Sequence, residues 1–243
     1  RACWSRWRRP MPEELVGWRC TSPQAALAFF PPEPLPEACS ASLGIRQRIY
    51  QVRAPYDLTV RCSKPGVLPV RFERDPESGL SQSAYESLVT PVMRFAQRDT
   101  QTAAIQVSLN LMLVTEAVAA LTLLPPCLAP GFRDWPGPLV SGRFPLRAWP
   151  RALNAVLEWQ DRDRPWELRR GEPMAYLWVQ FQDPELTPRF VEAASTPVLK
   201  RHFAQVDNVS SFGRNVAPMF AEAEARRPRR LLQEKRTGCP GFS

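Results

Sequence analysis

Hydrophobic and polar positions alternate along much of the chain, which predicts β-strands. Between Ile105 and Leu113 every second residue is a large aliphatic one. Successive side chains of a strand point to opposite faces of a sheet, so this period of two predicts one long strand. Shorter segments of similar character predict further strands: residues 45–52, 58–62, 67–73, 118–124, 153–159 and 166–169.

Residues 174–182 are apolar on both faces of the strand that their pattern predicts. Tyr176 and Trp178 lie on one face, and Leu177, Val179 and Phe181 lie on the other. A strand of this kind is central in its sheet or covered on both sides. We expect it to be the final strand of the fold.

Helical spacing is confined to a few segments. Residues 81–99 predict a helix that Pro91 limits to about two turns. Residues 198–206 are weakly helical, and the Ala/Glu/Arg-rich residues 217–227 predict a helix that tolerates Pro218 in its first turn. The Thr-Pro pairs at residues 187–188 and 196–197 predict turns or helix starts.

Proline punctuates the whole chain, with 27 among 243 residues. Because proline breaks helices, it favours short elements. Together with the strand pattern it predicts a β-rich α+β protein with an antiparallel, sandwich-like or rolled sheet. We expect a proline-rich N-terminal arm (residues 1–44), a β-rich core domain (45–183) and a helical C-terminal extension (184–243).

The chain is basic, with a net charge of +8 and 29 arginines against three lysines. This excess indicates affinity for phosphate, nucleic acid or an acidic partner, or else reflects the composition of a genome that favours arginine codons. At the N-terminus, Trp4, Trp7 and Arg8 are candidate partner-binding residues because aromatic rings stack and guanidinium groups bind phosphate. Alternatively, these tryptophans pack into grooves of the main body.

A second set of candidate partner-binding residues lies near the C-terminus: Arg226, Arg227, Arg229 and Arg230. We expect residues 226–236 to be helical, with these arginines spread over the helix surface. Nucleic acid would suit such a surface. A solvated helix, or one that docks on an acidic neighbouring subunit, fits the pattern equally well.

The chain contains a single histidine, His202. A metal site that needs two or three imidazoles is therefore excluded. His202 is a general-base candidate or, alternatively, a histidine at a helix surface or interface. We find no phosphate-binding glycine loop and no CxxC pair among the six cysteines, and so predict neither a metal nor a cofactor. Six cysteines are too few for a disulfide scaffold in a chain of this length, so we expect them to be mostly reduced and the protein to lie in the cytoplasm or inside a viral or other macromolecular particle. A secreted protein with three disulfide bridges is the alternative.

Residues 105–124 are apolar enough to need a membrane test. They include Gln106, Asn110 and Glu116, which are costly in lipid, and their alternation favours strands. We therefore predict no membrane span.

Asp57 and Glu172 are the carboxylates that we consider for a pocket. Each begins or precedes a predicted strand, after Pro55-Tyr56 and within Gly171-Glu172-Pro173 respectively. A pair of carboxylates in a cleft would suit acid–base chemistry. Alternatively, each caps a turn or pairs with an arginine.

Three segments resemble parts of uncharacterised β-rich proteins of bacteria and tailed phages. They are APYDLTV (residues 54–60), LLPPCL (123–128) and the stretch from WPRALNAVLEW to RRGEPMAYLWVQF (149–181). The matching motifs are structural, so the resemblance implies no activity.

Three functional hypotheses follow. The first is a non-enzymatic structural or interaction protein, a component of a larger assembly such as a phage particle, which contacts protein subunits of the same or another kind through its terminal segments. The second is a nucleic-acid-binding module that uses the basic terminal segments. The third is an enzyme with a pocket centred on Asp57 and Glu172.

Overall fold

The computed structural model describes residues 11–22, 29–45, 48–64, 70–92, 103–148, 152–206 and 217–235. These residues form fourteen strands: β1 (Glu13–Cys20), β2 (Glu33–Pro34), β3 (Ile49–Arg53), β4 (Leu58–Cys62), β5 (Phe72–Arg74), β6 (Val89–Pro91), β7 (Ala103–Thr115), β8 (Ala119–Leu124), β9 (Leu139–Val140), β10 (Gly142–Pro145), β11 (Ala152–Trp159), β12 (Trp166–Leu168), β13 (Pro173–Phe181) and β14 (Thr187–Glu192).

Helices are short: α1 (Glu37–Ser42), α2 (Gln82–Leu88), α3 (Pro197–Val206), α4 (Ala217–Ala225) and a 3₁₀ helix (Pro130–Asp134). Local side chains determine where two of them begin. The Ser81 hydroxyl accepts a hydrogen bond from the Ala84 amide at 3.2 Å, and the Thr196 hydroxyl accepts one from the Leu199 amide at 3.1 Å. Such caps satisfy amides that a first helical turn leaves unpaired. Thr196-Pro197 is thus a helix start, as predicted.

Three sheets build the body. The large sheet has the strand order β14, β1, β7, β11, β9, and β6 also pairs with β7. The second sheet has the order β10, β8, β13, β3, β2, and the small sheet has the order β12, β4, β5. Among the described strands, β1 and β14 form a parallel pair and the other pairs are antiparallel.

The sheets pack around one apolar core. Leu109 and Leu157 of the large sheet, Leu121 and Leu177 of the second sheet, and Trp166 of the small sheet all belong to this buried cluster. The fold class is therefore the expected one, β-rich with several antiparallel sheets and a helix near the C-terminus. The predicted strands within residues 105–113, 118–124, 153–159 and 174–182 are all present.

Two strands are covered on both faces. In β13, Leu177 and Val179 enter the main core, while Tyr176 packs on the opposite face with Leu35 and Ile49. In β7, Met112 and Val114 point away from the main core and form a second cluster, described below, with C-terminal residues. The central position of β13 between β8 and β3 confirms its prediction.

The C-terminal part differs from the prediction. Strand β13 is not the last strand, because Thr187 and Pro188 begin β14 instead of a turn or helix. Pro188 is tolerated because β14 forms the edge of the hydrogen-bonded strand order of the large sheet, where a missing amide costs little. Residues 226–235 are not helical: α4 ends at Ala225, and Pro228 disfavours a helical residue before it.

The large sheet contains strands from all three of the segments predicted from the sequence. Strand β1, in the segment predicted as an arm, lies between β14 and β7, so residues 13–20 are an interior strand and no free arm. Strand β14, in the predicted extension, pairs with β1 from Glu13–Thr187 to Trp18–Glu192. Both terminal segments thus contribute to the main body, while the three-domain division itself stays a prediction.

Candidate functional site

Asp57 and Glu172 lie on two neighbouring turns, one between β3 and β4 and the other between β12 and β13. An oxygen of Asp57 accepts a hydrogen bond from the Arg170 amide at 2.8 Å. An oxygen of Glu172 accepts one from the Arg169 amide, also at 2.8 Å. The two carboxylates, from neighbouring turns, therefore accept hydrogen bonds from adjacent amides of one turn, that between β12 and β13.

Main-chain hydrogen bonds join the same two turns directly. The Gly171 amide donates to the Ala54 carbonyl, and the Ala54 amide donates to the Glu172 carbonyl, both at 2.8 Å. Gly171 has a φ of +90°, a region that favours glycine, so the tight turn depends on that residue. Asp57 and Glu172 thus add side-chain hydrogen bonds to a contact between the turns that the main chain already forms.

Asp57 also lines an open cleft of about 430 Å³ beside the small sheet. The charged groups along this cleft are mixed in sign: Asp57, Asp75, Glu77, Glu167, Arg61 and Arg169. Glu172 is not among the lining residues, so the cleft is not centred on the predicted pair.

Asp75 is the most engaged carboxylate of the cleft. It accepts from the Glu77 amide at 2.9 Å and pairs with Arg61 at 2.5 Å. The Glu77 amide, and next Arg61, lower the pKa of Asp75 below its ordinary value. Its oxygens are thus occupied by neighbouring protein groups.

The second candidate site is the C-terminal tail, which we define as residues 226–235. Arg226, Arg229 and Arg230 are exposed there, and the Arg226 side chain is 78% exposed. The Arg227 side chain is only 3% exposed. Three of the four predicted arginines therefore face solvent, and Arg227 is turned inward and is not available for a surface contact.

Arg227 anchors the tail to the turn between β7 and β8. Its guanidinium donates to the Thr115 carbonyl at 2.7 Å and pairs with a Glu116 oxygen at 2.7 Å. A guanidinium taken out of water needs such partners, because an unpaired buried charge is very costly.

Glu116 holds the tail with its other oxygen. That oxygen accepts hydrogen bonds from the amides of Leu231 and Leu232, each at 2.7 Å. Burial raises the pKa of Glu116, but the Leu232 amide, Arg227 and the Leu231 amide outweigh burial, so the pKa is lowered overall. Glu116 therefore stays ionised at neutral pH and serves both the side chain and the backbone of the tail.

Apolar contacts complete the attachment. Leu231 is 1% exposed and belongs to the second cluster, with Met112, Val114, Ala193 and Leu199. Leu232 lies directly over Gly17 of β1: a Cβ at Gly17 would be 2.2 Å from the Leu232 Cδ1. A glycine in this strand lets the tail approach the sheet closely.

The end of the tail runs along β14 and the residues that follow it. The Ala194 amide donates to the Gln233 carbonyl at 2.6 Å, and the Lys235 amide donates to the Glu192 carbonyl at 2.8 Å. The Lys235 ammonium also pairs with Glu192 at 2.7 Å. The tail is therefore bound as an added strand binds a sheet edge, by main-chain hydrogen bonds.

The remaining candidates lie elsewhere. Trp4, Trp7 and Arg8 are outside the described residues. His202 is buried in α3 and is no surface residue. Within the described ranges, no group of three His, Cys, Asp or Glu side chains is arranged to hold a metal ion, and no helix is long and apolar enough to cross a membrane.

Sequence reasoning missed the residues that hold the tail, above all Glu116, Leu231 and Leu232. One signal was available, since Glu116 is a carboxylate inside an apolar stretch and such a group needs a partner. That partner, Arg227, is far away in sequence and cannot be identified from spacing.

Comparison of the sequence with protein-family models, with curated proteins and with solved structures finds no match to this chain. The resemblance to β-rich proteins of bacteria and tailed phages therefore stays a prediction.

Proposed function

We propose that this chain is a non-enzymatic interaction protein, a component of a larger assembly such as a phage particle, and that its C-terminal tail contacts neighbouring protein subunits. The observation that carries the proposal is the opposite orientation of the arginines. Arg227 is buried and fixes the tail, while Arg226, Arg229 and Arg230 point to solvent from that fixed backbone.

A fixed backbone favours binding by the exposed arginines. Ordering a free chain on binding costs free energy, and the tail is already ordered by Glu116, Leu231 and the hydrogen bonds to residues 192 and 194. Arginine is also among the residues that most often dominate binding at protein interfaces. The chemistry of this surface suits an acidic patch on a neighbouring subunit.

Arg229 and Arg230 are the most suitable members of the set. Within the described part of the chain neither makes an ion pair, whereas Arg226 pairs with Glu222 one helical turn earlier. A partner carboxylate therefore meets no competing intramolecular carboxylate at Arg229 and Arg230.

The test is the native mass of the purified chain by light scattering, after nuclease treatment, at low and high salt. We compare the wild type with the double variant Arg229→Ser/Arg230→Ser. The control is Arg133→Ser/Arg143→Ser, which removes the same charge from two other exposed arginines that make no ion pair in the described residues. We expect a discrete oligomer or larger particle for the wild type and the control, and a smaller species for the tail variant. A monodisperse monomer in all three samples would contradict the proposal.

Nucleic acid is the second candidate partner, favoured by the guanidinium groups of Arg229 and Arg230, which make no ion pair with any described residue. A complex that nuclease destroys, and that weakens steeply with salt, would support this alternative and would contradict a protein partner. The enzyme hypothesis has less support, because Glu172 lies outside the cleft and both Asp57 and Glu172 accept backbone amides.

A further inference from the structure

The only histidine of the chain, His202, lies one helical turn after Leu199, which packs in the second cluster with Leu231 of the tail. His202 is on α3, is 4% exposed, and its Nε2 has no hydrogen-bond partner in the described structure. Its helix neighbour Leu199 belongs to the same apolar cluster as Leu231. A neutral imidazole is tolerated in such surroundings far better than a charged one.

The ion pair of Arg227 with Glu116 leaves no negative charge to balance a protonated His202. Burial lowers the pKa of His202, and the positive charge of Arg227 in the tail lowers it further. From the turn between β7 and β8, Glu116 balances Arg227, and its two oxygens are already engaged. A proton on His202 would therefore add a second positive charge to a buried region in which Arg227 is already charged.

The other charged groups of the neighbouring elements form hydrogen bonds or ion pairs, or are exposed to solvent. On β1, Arg19 donates a hydrogen bond to the carbonyl of Ala193, a member of the second cluster, at 2.7 Å. On α3 itself, Lys200 and Arg201 are exposed and positive, so neither offers a negative charge to a protonated His202. On α4, Glu222 pairs with Arg226, and Glu224 pairs with Arg147 at 2.7 Å.

We propose that His202 is a pH-sensitive latch for the C-terminal tail: the tail is docked while His202 is neutral and is released when His202 takes up a proton. This inference rests on the proposed function, since the tail carries the contact arginines, and it adds regulation to that surface. Release would expose the outer face of the large sheet around Gly17 and Met112.

The direction of the pH dependence follows from proton linkage. A histidine in water titrates at a pH of about 6.5, and burial and the charge of Arg227 lower the pKa of His202 in the folded chain with the tail docked. Above that pH both forms are neutral and docking is at full strength. Below it the released form binds a proton that the docked form does not, so docking weakens by up to about tenfold per pH unit until the docked imidazole also titrates. Glu116, with its lowered pKa, stays charged over this range.

The experiment is hydrogen exchange of the Leu231 and Leu232 amides in the full chain between pH 7.5 and 5, with rates normalised to intrinsic exchange at each pH. We expect their protection to fall with pH in the wild type and to stay level in His202→Gln, which has no ionisable group there. Amides of β13 in the same samples report whether the whole fold is intact.

A matched control places the histidine at an exposed position of the same helix. Gln205 is exposed on α3, so His202→Gln/Gln205→His has one titratable imidazole in solvent. We expect no pH dependence in this variant. An equal loss of tail protection in the wild type and His202→Gln would overturn the latch, as would a level profile in the wild type. If His202→Gln fails to fold, His202→Asn replaces it.

Failure of the latch is distinguishable from failure of the proposed function. A level exchange profile together with arginine-dependent assembly would overturn the latch alone. A pH-dependent tail whose arginines do not affect the native mass would overturn the tail as a contact surface alone.

Discussion

Glu116 and the pair Asp57 and Glu172 perform the same local task in different surroundings. All three accept hydrogen bonds from backbone amides. The bonds to Asp57 and Glu172 lie at the exposed surface, on turns that the main chain already joins. Glu116 is 30% exposed, pairs with a buried guanidinium and connects segments far apart in sequence.

This difference in surroundings indicates how much each carboxylate contributes to the stability of the fold. Water can replace a lost partner at an exposed turn, so Asp57 or Glu172 contributes modestly to stability. Water does not readily reach Arg227, so the loss of Glu116 would leave a buried charge unpaired. The same residue type therefore stabilises a turn in one region and holds a whole segment in the other.

The largest expected effect comes from Glu116→Gln. The glutamine can still accept from the Leu231 and Leu232 amides, but it does not neutralise Arg227. We expect a loss of about 3 kcal/mol in the free energy of unfolding, toward the lower end for breaking a buried ion pair because Glu116 is partly exposed. Denaturant unfolding measures it.

Glu167→Gln is the control for that loss, since Glu167 is an exposed carboxylate of the cleft and makes no ion pair in the described residues. Equal stability of the two variants would contradict a special role for Glu116.

Gly17→Ala tests the close contact beneath the tail. Its Cβ would lie 2.2 Å from the Leu232 Cδ1 and 3.0 Å from the Ala193 Cβ. Overpacking of this kind costs about 1–3 kcal/mol, and the tail should lose protection first. Adding Leu232→Ala removes the closest atom, so the double variant should be more stable than the sum of the single effects.

Thermal unfolding of the four proteins gives that coupling energy. Gly131→Ala is the control, because the nearest atom to its Cβ is an ordinary 3.9 Å away. Strict additivity of Gly17→Ala and Leu232→Ala would show that the tail does not lie on β1.

Asp57→Ala tests the exposed member of the comparison with Glu116. It removes one acceptor from an exposed amide, so we expect a loss of about 1 kcal/mol in the free energy of unfolding. Glu172→Ala should cost a similar amount, and the two should be non-additive because both act on adjacent amides. Denaturant unfolding measures both losses. A loss of unfolding free energy as large as that of Glu116→Gln would contradict the proposed difference between the exposed carboxylates and Glu116.

The smallest expected effect comes from Arg226→Ala. The side chain is 78% exposed and pairs with Glu222 across one helical turn. Such exposed pairs contribute about 0.3–0.5 kcal/mol, and less in high salt. Hydrogen exchange at Leu231 and Leu232 should be unchanged in this variant, and a marked loss of protection there would contradict the assignment of Arg227 as the anchor.

Strand periodicity predicted most of the sheets, because alternation directly reports a buried face. It succeeded for β7, β8, β11 and β13. It failed for β14, where Thr187-Pro188 indicated a turn; the parallel pairing of β14 with β1 depends on tertiary contacts that no local pattern reports.

The candidate site was predicted only in part. Arginine composition pointed to the tail, and three of its four arginines are exposed, while their binding of a partner stays a prediction. The inward direction of Arg227 could not be predicted, since its partners Thr115 and Glu116 are more than one hundred residues away in sequence. Asp57 and Glu172 act as turn acceptors, one of the two interpretations that the sequence left open.

Hydrogen exchange of the Leu231 and Leu232 amides in the full wild-type chain at pH 7.5 tests the central claim most directly. If Glu116 holds the tail on the large sheet, both amides should be strongly protected, and Glu116→Gln should reduce that protection while amides of β13 remain protected relative to an unstructured peptide. Exchange of both amides at the rate of an unstructured peptide would contradict the account.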